Sequence, residues 1–433
     1  MNNKIRYIIN KQKKLFISCF TKNSLISKNF YTFSLYARQI SGNLAIILIA
    51  RYMAVYDYGL FSSYRSIAIF CLMFANLSFA DYILVSSKAN VTEVKLKMSL
   101  FLVYAICVTL IIALSSFAFC LESHLLFILI LFRTFFDSVF FALILPYFQA
   151  TKKFNVIAAI NTFYSFSIIV IATISFIFKL SLFVFLVLNI ILGIANFIQC
   201  STYTKLNYLL PFRNFKNITK KIDKKILDFI SMTIIIYMYS QIAPLFIATM
   251  VDKKQAALYF SSFTIANIVM LLISAQTQKM VPEMINNTSS NIRKILYKNL
   301  KYIILITSAL FLFMLLFGKF VLKLVYGQDY YMGGYFVLLI LMLSNIALAE
   351  SSIFGAHIVA INSVNKALPI LLQTSVITIF SLFVLKSFGI YGAAISFFIA
   401  SIYLAYKYTT YSIQLLKQQE QQENIKENLC NNN

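Results

Sequence analysis

The chain has 433 residues, of which 60% are hydrophobic and only 12% are charged, whereas soluble globular chains carry about 25% charged residues. Apolar runs of about 20 residues, the length that crosses a hydrocarbon core of roughly 30 Å, recur from end to end. The composition therefore excludes a soluble globular protein and predicts an all-α polytopic membrane protein. The net charge of +24 does not indicate nucleic-acid binding, because the basic residues cluster between the apolar runs, as in loops that face anionic lipid.

About twelve membrane spans are predicted, in two sets of six. They are 31–52, 60–86, 98–120, 124–150, 154–178 and 180–203, followed by 226–250, 256–282, 301–325, 332–361, 366–387 and 389–412. We therefore expect an N-lobe at 31–203 and a C-lobe at 226–412, placed around a central cavity. The remaining segments are predicted to be a basic cytoplasmic arm at 1–30, a basic cytoplasmic linker at 204–225, and a polar cytoplasmic tail at 413–433 that is frayed or disordered.

The distribution of basic residues predicts the orientation. With both termini in the cytoplasm, most of the 38 Lys and Arg residues lie on the cytoplasmic side. A weak internal repeat supports two lobes, because GLFSSYRSIA at 59–68 is similar to ALYFSSFTIA at 257–266. An even number of spans in each lobe makes such repeats parallel.

Three arginines interrupt the apolar spans of the first half. Charge at bilayer depth costs at least roughly 2.5–3.5 kcal/mol, so it normally faces a cavity, a partner or the water boundary. Arg38 is predicted in the inner half of the first span, Arg65 in the outer half of the second, after a turn at 56–59, and Arg133 near the middle of the fourth. Because Arg forms bidentate hydrogen bonds with phosphate, this ladder of cations could bind an anionic head group that crosses the membrane.

Each arginine also has a plainer interpretation. Arg133 and Asp137 are spaced i,i+4 and can form a neutralised structural pair. Arg38 can pair with Asp81, which lies at a similar predicted depth. Arg65 can extend its guanidinium to the outer interface.

The second half carries two further candidates, seven residues apart on one face of the tenth span. Glu350 lies deep in that span with no cation within one turn, which is typical of a proton or sodium site. His357 is either a packed polar residue or a proton carrier. The six cysteines are scattered without a metal-binding spacing, so neither a metal nor another cofactor is predicted.

Four segments occur in a characteristic order. They are RYMAVYDYGLFSSYRSIA at 51–68, FIATMVDKKQAALYFSSFTIANIVMLLISAQTQKMVPEM at 246–284, LVYGQDYYMGGYFVLLILMLSN at 324–345 and FGIYGAAISFFIA at 388–400. Their order resembles that of the polysaccharide biosynthesis flippases, the Wzx-type O-antigen exporters of the MOP superfamily. The resemblance implies two six-helix bundles that move an undecaprenyl-pyrophosphate-linked oligosaccharide to the outer leaflet of the bacterial inner membrane.

The same resemblance implies partners and sites. The partners would be the lipid-linked glycan and the bilayer, with a polysaccharide polymerase as a further candidate. Related flippases carry cavity arginines on the first two spans, where Arg38 and Arg65 lie. Arg133 joins them as a candidate pyrophosphate-binding residue, and Asp81, Asp137, Glu350 and His357 are candidates for coupling or for lining the cavity.

Two other functions compete with this one. A cation-coupled multidrug exporter of the MATE type would favour a negatively charged cavity. The three arginines of the first lobe outnumber its two aspartates, which opposes that function, whereas Glu350 supports it. A membrane enzyme is not expected, since the only two histidines fall in separate lobes and no large external loop is predicted.

Overall fold

The computed structural model describes residues 24–77, 79–86, 90–118, 121–151, 153–205, 225–284, 287–361 and 364–431. These residues are helical almost throughout, and no strand occurs among them. Ten segments of the described chain are long and apolar enough to cross a membrane, and one of these, Ala367–Ile425, includes parts of two helices. The chain is therefore an all-α, multi-pass membrane protein, as its composition predicts.

The described residues of the first half form eight helices. They are α1 (Ser24–Ala50), α2 (Val55–Asn76), α3 (Phe79–Ser86), α4 (Val91–Ser115), α5 (His124–Thr134), α6 (Phe141–Ala150), α7 (Phe154–Ile177) and α8 (Leu182–Thr204). A π-helical turn, Phe135–Phe140, joins α5 to α6 into one rod, and a 3-10 turn, Ser116–Ala118, follows α4. Each of the first six predicted spans overlaps one of these helices or rods.

Two details differ from the predicted first hairpin. The segment 56–59, predicted as a turn, lies in the first turn of α2, where Asp57 interacts favourably with the positive end of the helix dipole. The predicted span 60–86 is interrupted after Asn76, because Leu77 adopts a left-handed conformation with φ of 42°. Its amide N–H donates to the carbonyl of Met73, which closes the end of α2.

Six helices occur in the part of the second half that the structure describes. They are α9 (Lys225–Met250), α10 (Lys253–Met284), α11 (Ser289–Val325), α12 (Gln328–Ala360), α13 (Val364–Leu385) and α14 (Gly389–Asn431), with a 3-10 turn at Lys386–Phe388. Each of the last six predicted spans overlaps one of them. The predicted linker 204–225 lies largely outside the described residues, as do residues 1–23 of the predicted arm.

The predicted C-terminal tail continues the last helix instead of fraying, since α14 runs to Asn431. Leu415 and Leu416 are buried, so this extension packs against the protein. Glu423 accepts hydrogen bonds from the amide N–H of Ser289, at 2.9 Å, and from its hydroxyl, at the first turn of α11. The sequence of this segment is mainly polar, which predicts fraying. In the structure, the buried Leu415 and Leu416 and the hydrogen bonds of Glu423 to Ser289 stabilise it as a helix.

The helices form two compact units. One comprises Met1–Ile49 and Cys71–Ile230, and the other comprises Ala50–Phe70 and Ser231–Asn433. The segment 50–70 thus groups with the second unit, unlike the predicted lobes. Within that unit, a Cβ atom on Gly59 would lie 1.8 Å from the carbonyl oxygen of Lys253, so glycine allows the start of α2 to approach the start of α10.

Different contacts hold each unit together. In the first unit, the Phe79 and Phe101 rings stack at 3.9 Å between centroids. In the second, Ser262 Oγ donates to the carbonyl of Gly334 at 2.8 Å, and Asn345 Nδ2 donates to a carbonyl of α10 at 2.7 Å. Such side-chain hydrogen bonds between helices are typical of membrane proteins, where lipid provides no hydrophobic drive for helix association.

Candidate functional site

Three rods of the first unit bring polar side chains together in its interior. Arg38 comes from α1, Arg133 and Asp137 come from α5 and the π-helical turn, and Asn161 and Tyr164 come from α7. Both arginines are buried, with 9% and 4% of their surface exposed. We call these five residues the charged cluster.

The guanidinium of Arg38 is held by aromatic rings against its flat faces as well as by a hydrogen bond that it donates. Its Cζ atom lies 3.7 Å from the centroid of the Phe141 ring and 4.4 Å from that of Tyr164. Nη1 donates to Asn161 Oδ1 at 3.3 Å, and Nη2 is buried without a hydrogen-bond partner among the described residues. Two rings at these distances stabilise a desolvated cation, so Arg38 remains charged and keeps donor capacity.

The Arg133–Asp137 pair predicted from the i,i+4 spacing is present. Arg133 Nε lies 3.6 Å from Asp137 Oδ2, and the guanidinium lies 5.3 Å from the centre of the Phe185 ring. The other carboxylate oxygen of Asp137 accepts a hydrogen bond from the Tyr164 hydroxyl. Asp137 also lies close enough to Arg38 for their charges to interact. The Asp137 carboxylate is thus the counter-ion of both Arg133 and Arg38, so the charged cluster has a net charge of one positive unit.

The π-helical turn determines where Asp137 lies. Such turns insert one extra residue into a helix and occur frequently at functional sites. A Cβ atom on Gly193 of α8 would lie 2.6 Å from the Phe136 ring, so glycine makes room for this turn against α8. The Phe140 and Phe197 rings, 4.9 Å apart, fix the other end of the turn on the same helix.

Arg65 belongs to the second unit and does not join the charged cluster. It interacts electrostatically with Tyr58, which is buried among aromatic rings. The ring centroids of Tyr326 and Tyr330 lie 5.8 and 6.0 Å from that of Tyr58. The structure therefore places two of the three predicted cations together, in the first unit, and the third in different surroundings.

The other predicted residues have separate environments. Glu350 accepts a hydrogen bond from Thr409 Oγ1 at 2.9 Å, and His357 Nδ1 lies 2.7 Å from Ser412 Oγ. His357 is fully buried, as a packed polar residue would be. The side chain of Asp81 lies outside the described residues, which leaves its predicted pairing with Arg38 as a prediction.

A cavity of about 270 Å³ lies within the second unit, between α9, α12, α13 and α14. Its walls are mainly aliphatic, with the Tyr239 and Tyr408 rings and the Ser351 and Ser352 hydroxyls among them. Both serine hydroxyls donate to the carbonyl of Leu348 on their own helix. The cavity therefore presents an apolar surface with few free polar groups.

Sequence reasoning missed the α7 and α6 members of this site. The sequence gives only a weak signal for Asn161, which stands at i,i+4 from Ser165 in a span that carries several other polar side chains, and none for Tyr164. Phe141 carries no sequence signal, because any apolar residue fits a spanning helix. Only the packing of α6 against α1 makes its ring a contact of Arg38.

No protein-family model and no curated protein matches the sequence. Solved structures match over nearly the whole chain. A crystal structure of MATE in the straight conformation covers 90% of this chain and 95% of its own, with 14% identity and a TM-score of 0.62. The chain has the MATE fold.

A multidrug resistance MATE family transporter of the MOP superfamily also matches, in two conformations. Its inward-facing form covers 90% of this chain and 95% of its own, with 14% identity and a TM-score of 0.56. Its outward-facing form covers 96% and 93%, with 14% identity and a TM-score of 0.55. The MATE fold accounts for the two lobes that the sequence predicts.

Proposed function

We propose that this chain is a secondary transporter of the MOP superfamily that exports an organic solute across the membrane by alternating access. The observation that carries this proposal is the match to a multidrug resistance MATE transporter in both its inward- and its outward-facing form, over at least nine-tenths of each chain. Alternating access in such folds is largely a rigid-body movement of lobes around a fixed site.

Asp137 and Glu350 are the carboxylates we propose for coupling export to an ion gradient. Protonation of Asp137 would remove the counter-charge of Arg133 and weaken the hydrogen bond that Asp137 accepts from the Tyr164 hydroxyl, so one proton changes several contacts at once. Among the described residues, Glu350 accepts a hydrogen bond only from the Thr409 hydroxyl, so its protonation would change a single contact. The charged cluster is therefore the stronger candidate for coupling.

Drug susceptibility tests the export proposal. The chain is expressed in a bacterial strain that lacks its own multidrug exporters, and growth inhibition is measured for a panel of organic cations, anions and neutral compounds. We expect protection against at least one compound, lost in Asp137→Asn and kept in Lys254→Gln, which removes an exposed charge. A well-expressed chain that protects against no compound would contradict multidrug export.

A second candidate function follows from the charge of the cluster. Two buried arginines share one carboxylate, and Nη2 of Arg38 is left without a hydrogen-bond partner among the described residues. Such a site favours an anionic group over an organic cation. This supports, as the alternative, a flippase for an undecaprenyl-pyrophosphate-linked oligosaccharide in the bacterial inner membrane, with both termini cytoplasmic.

Complementation separates the two functions. The chain is expressed in a strain that lacks its O-antigen flippase, and surface glycan is measured for the wild type and for Arg38→Ala, Arg65→Ala and Arg133→Ala. The flippase proposal expects restored glycan with the wild type and a large loss in Arg38→Ala and Arg133→Ala. Normal glycan from all three variants would exclude a role for these arginines in phosphate transfer.

A further inference from the structure

Helix α11 is longer than a membrane crossing requires. Its 37 residues extend about 55 Å at 1.5 Å per residue, against a hydrocarbon core of roughly 30 Å. Its first turns pack on the protein through one face, where Ile292, Leu296 and Asn299 are buried. On the same side, Arg293 Nη2 pairs with Glu420 Oε1 of α14 at 2.8 Å. The rotation of α11 about its own axis is thus fixed by this buried face, with a further contact from the C-terminal extension of α14.

The opposite face of these turns carries lysines. Lys294, Lys298 and Lys301 follow i, i+4, i+7 spacing, so they form one stripe, and all three are exposed. None of the three is within ion-pair distance of a carboxylate in the described part of the chain. Because the buried residues of these turns lie on the opposite face, the stripe points away from the protein.

The stripe continues directly into an apolar surface. Leu305, Leu312 and Leu316 lie on the same face of α11 and are 67%, 56% and 75% exposed. In a multi-pass membrane protein, an exposed face of this composition contacts acyl chains. Lys319 follows on the same face, 18 residues after Lys301, or about 27 Å along the axis. That distance is close to the hydrocarbon thickness, so the spacing of Lys301 and Lys319 matches the two boundaries of the core.

We propose that Lys294, Lys298 and Lys301 form a binding surface for the head groups of anionic phospholipids. The register of α11 places Lys301 at the edge of the acyl chains and the other two within the next 11 Å or so, at the depth of the head groups. Each lysine near an anionic surface strengthens binding about fivefold. The exposed rings of Tyr297 and Tyr302 flank the stripe and suit the same interfacial layer.

Lipid retention tests this surface. The full-length protein is purified in neutral detergent with equimolar phosphatidylglycerol and phosphatidylcholine, and the bound lipids are counted by native mass spectrometry. We expect the wild type to retain phosphatidylglycerol preferentially. The variant Lys294→Gln/Lys298→Gln/Lys301→Gln should reduce that preference by roughly one-hundred-fold. The triple Lys→Arg variant should keep it, and added salt should weaken it in the wild type.

A matched pair of double variants gives the control. Lys294→Gln/Lys298→Gln and Lys319→Gln/Lys323→Gln remove the same charge at the same i,i+4 spacing from opposite ends of α11. Lys319 already lies 5.2 Å over the Tyr335 ring, so the second variant should have the smaller effect. Equal losses in the two doubles, an unchanged triple-Gln variant with wild-type thermal stability, or equally effective displacement by free glycerol phosphate would each overturn the proposal.

Discussion

The two units bury polar groups in different ways. In the first unit, the charged cluster links three rods through one shared carboxylate and two ring faces. In the second unit, Glu350 with Thr409 and His357 with Ser412 stand in separate pairs, and hydroxyl groups around the buried Tyr58 bond to one another. The first unit thus joins buried charges of both signs in one network, whereas the Glu350 and His357 pairs of the second unit are single hydrogen bonds.

This difference determines what one substitution can do. A single hydrogen bond contributes only about 1 kcal/mol, and a pair can often be replaced by apolar groups of the same shape. In a buried charge network, the loss of one member leaves the others uncompensated in a medium that solvates them poorly. The first unit should therefore be the more sensitive one, both in stability and in any transport that depends on it.

The largest effect is expected for Asp137→Asn. The substitution keeps the size of the side chain but leaves Arg133 and Arg38 without their shared counter-charge. Breaking a buried ion pair by removing one partner costs roughly 3–5 kcal/mol, and the partial exposure of Asp137 places this variant near the lower end, at about 3 kcal/mol. The midpoint of thermal unfolding in detergent should fall clearly below that of the wild type.

Glu350→Gln is the matched control in the second unit. It also neutralises one carboxylate, but the amide oxygen can still accept from the Thr409 hydroxyl, so the cost should stay below about 1 kcal/mol. Equal shifts of the unfolding midpoint in Asp137→Asn and Glu350→Gln would show that the charge network of the first unit adds no more stability than a single hydrogen bond does.

Most of the fold could be predicted from the sequence because a spanning helix has a strong one-dimensional signal. Run length suffices to predict twelve apolar spans, each of which overlaps a helix or rod, and ten segments of the described chain are long and apolar enough to cross a membrane. What could not be predicted depends on contacts between helices. The residues next to Arg65 in the sequence do not indicate that it belongs to the second unit. Tyr164 donates to Asp137 only because α7 packs beside the π-helical turn.

Arg38→Lys tests whether ring stacking is part of the network. Lysine keeps the charge but loses the flat guanidinium between the Phe141 and Tyr164 rings and the fixed donor to Asn161. We expect a loss of about 1–2 kcal/mol, measured as a lower unfolding midpoint.

Arg133→Lys is the control within the same network. Its guanidinium lies farther from one ring, 5.3 Å from Phe185, and lysine can still pair with Asp137. The loss should therefore be smaller than in Arg38→Lys. The opposite order would show that the ion pair, and not stacking, dominates the charged cluster.

The smallest effect is expected at two other carboxylates of the second unit, at the contact between α14 and α11. Glu423 accepts from the first amide N–H of α11, where the helix dipole favours a negative charge. Glu423→Gln keeps an acceptor but loses the charge, which should cost about 0.5–1 kcal/mol.

Glu420, on the same helix, pairs with a half-exposed Arg293, so Glu420→Gln should cost only a few tenths of a kcal/mol. If Glu420→Gln lowered the unfolding midpoint more than Glu423→Gln, the exposed ion pair would hold the extension in place, and the capping contact would not.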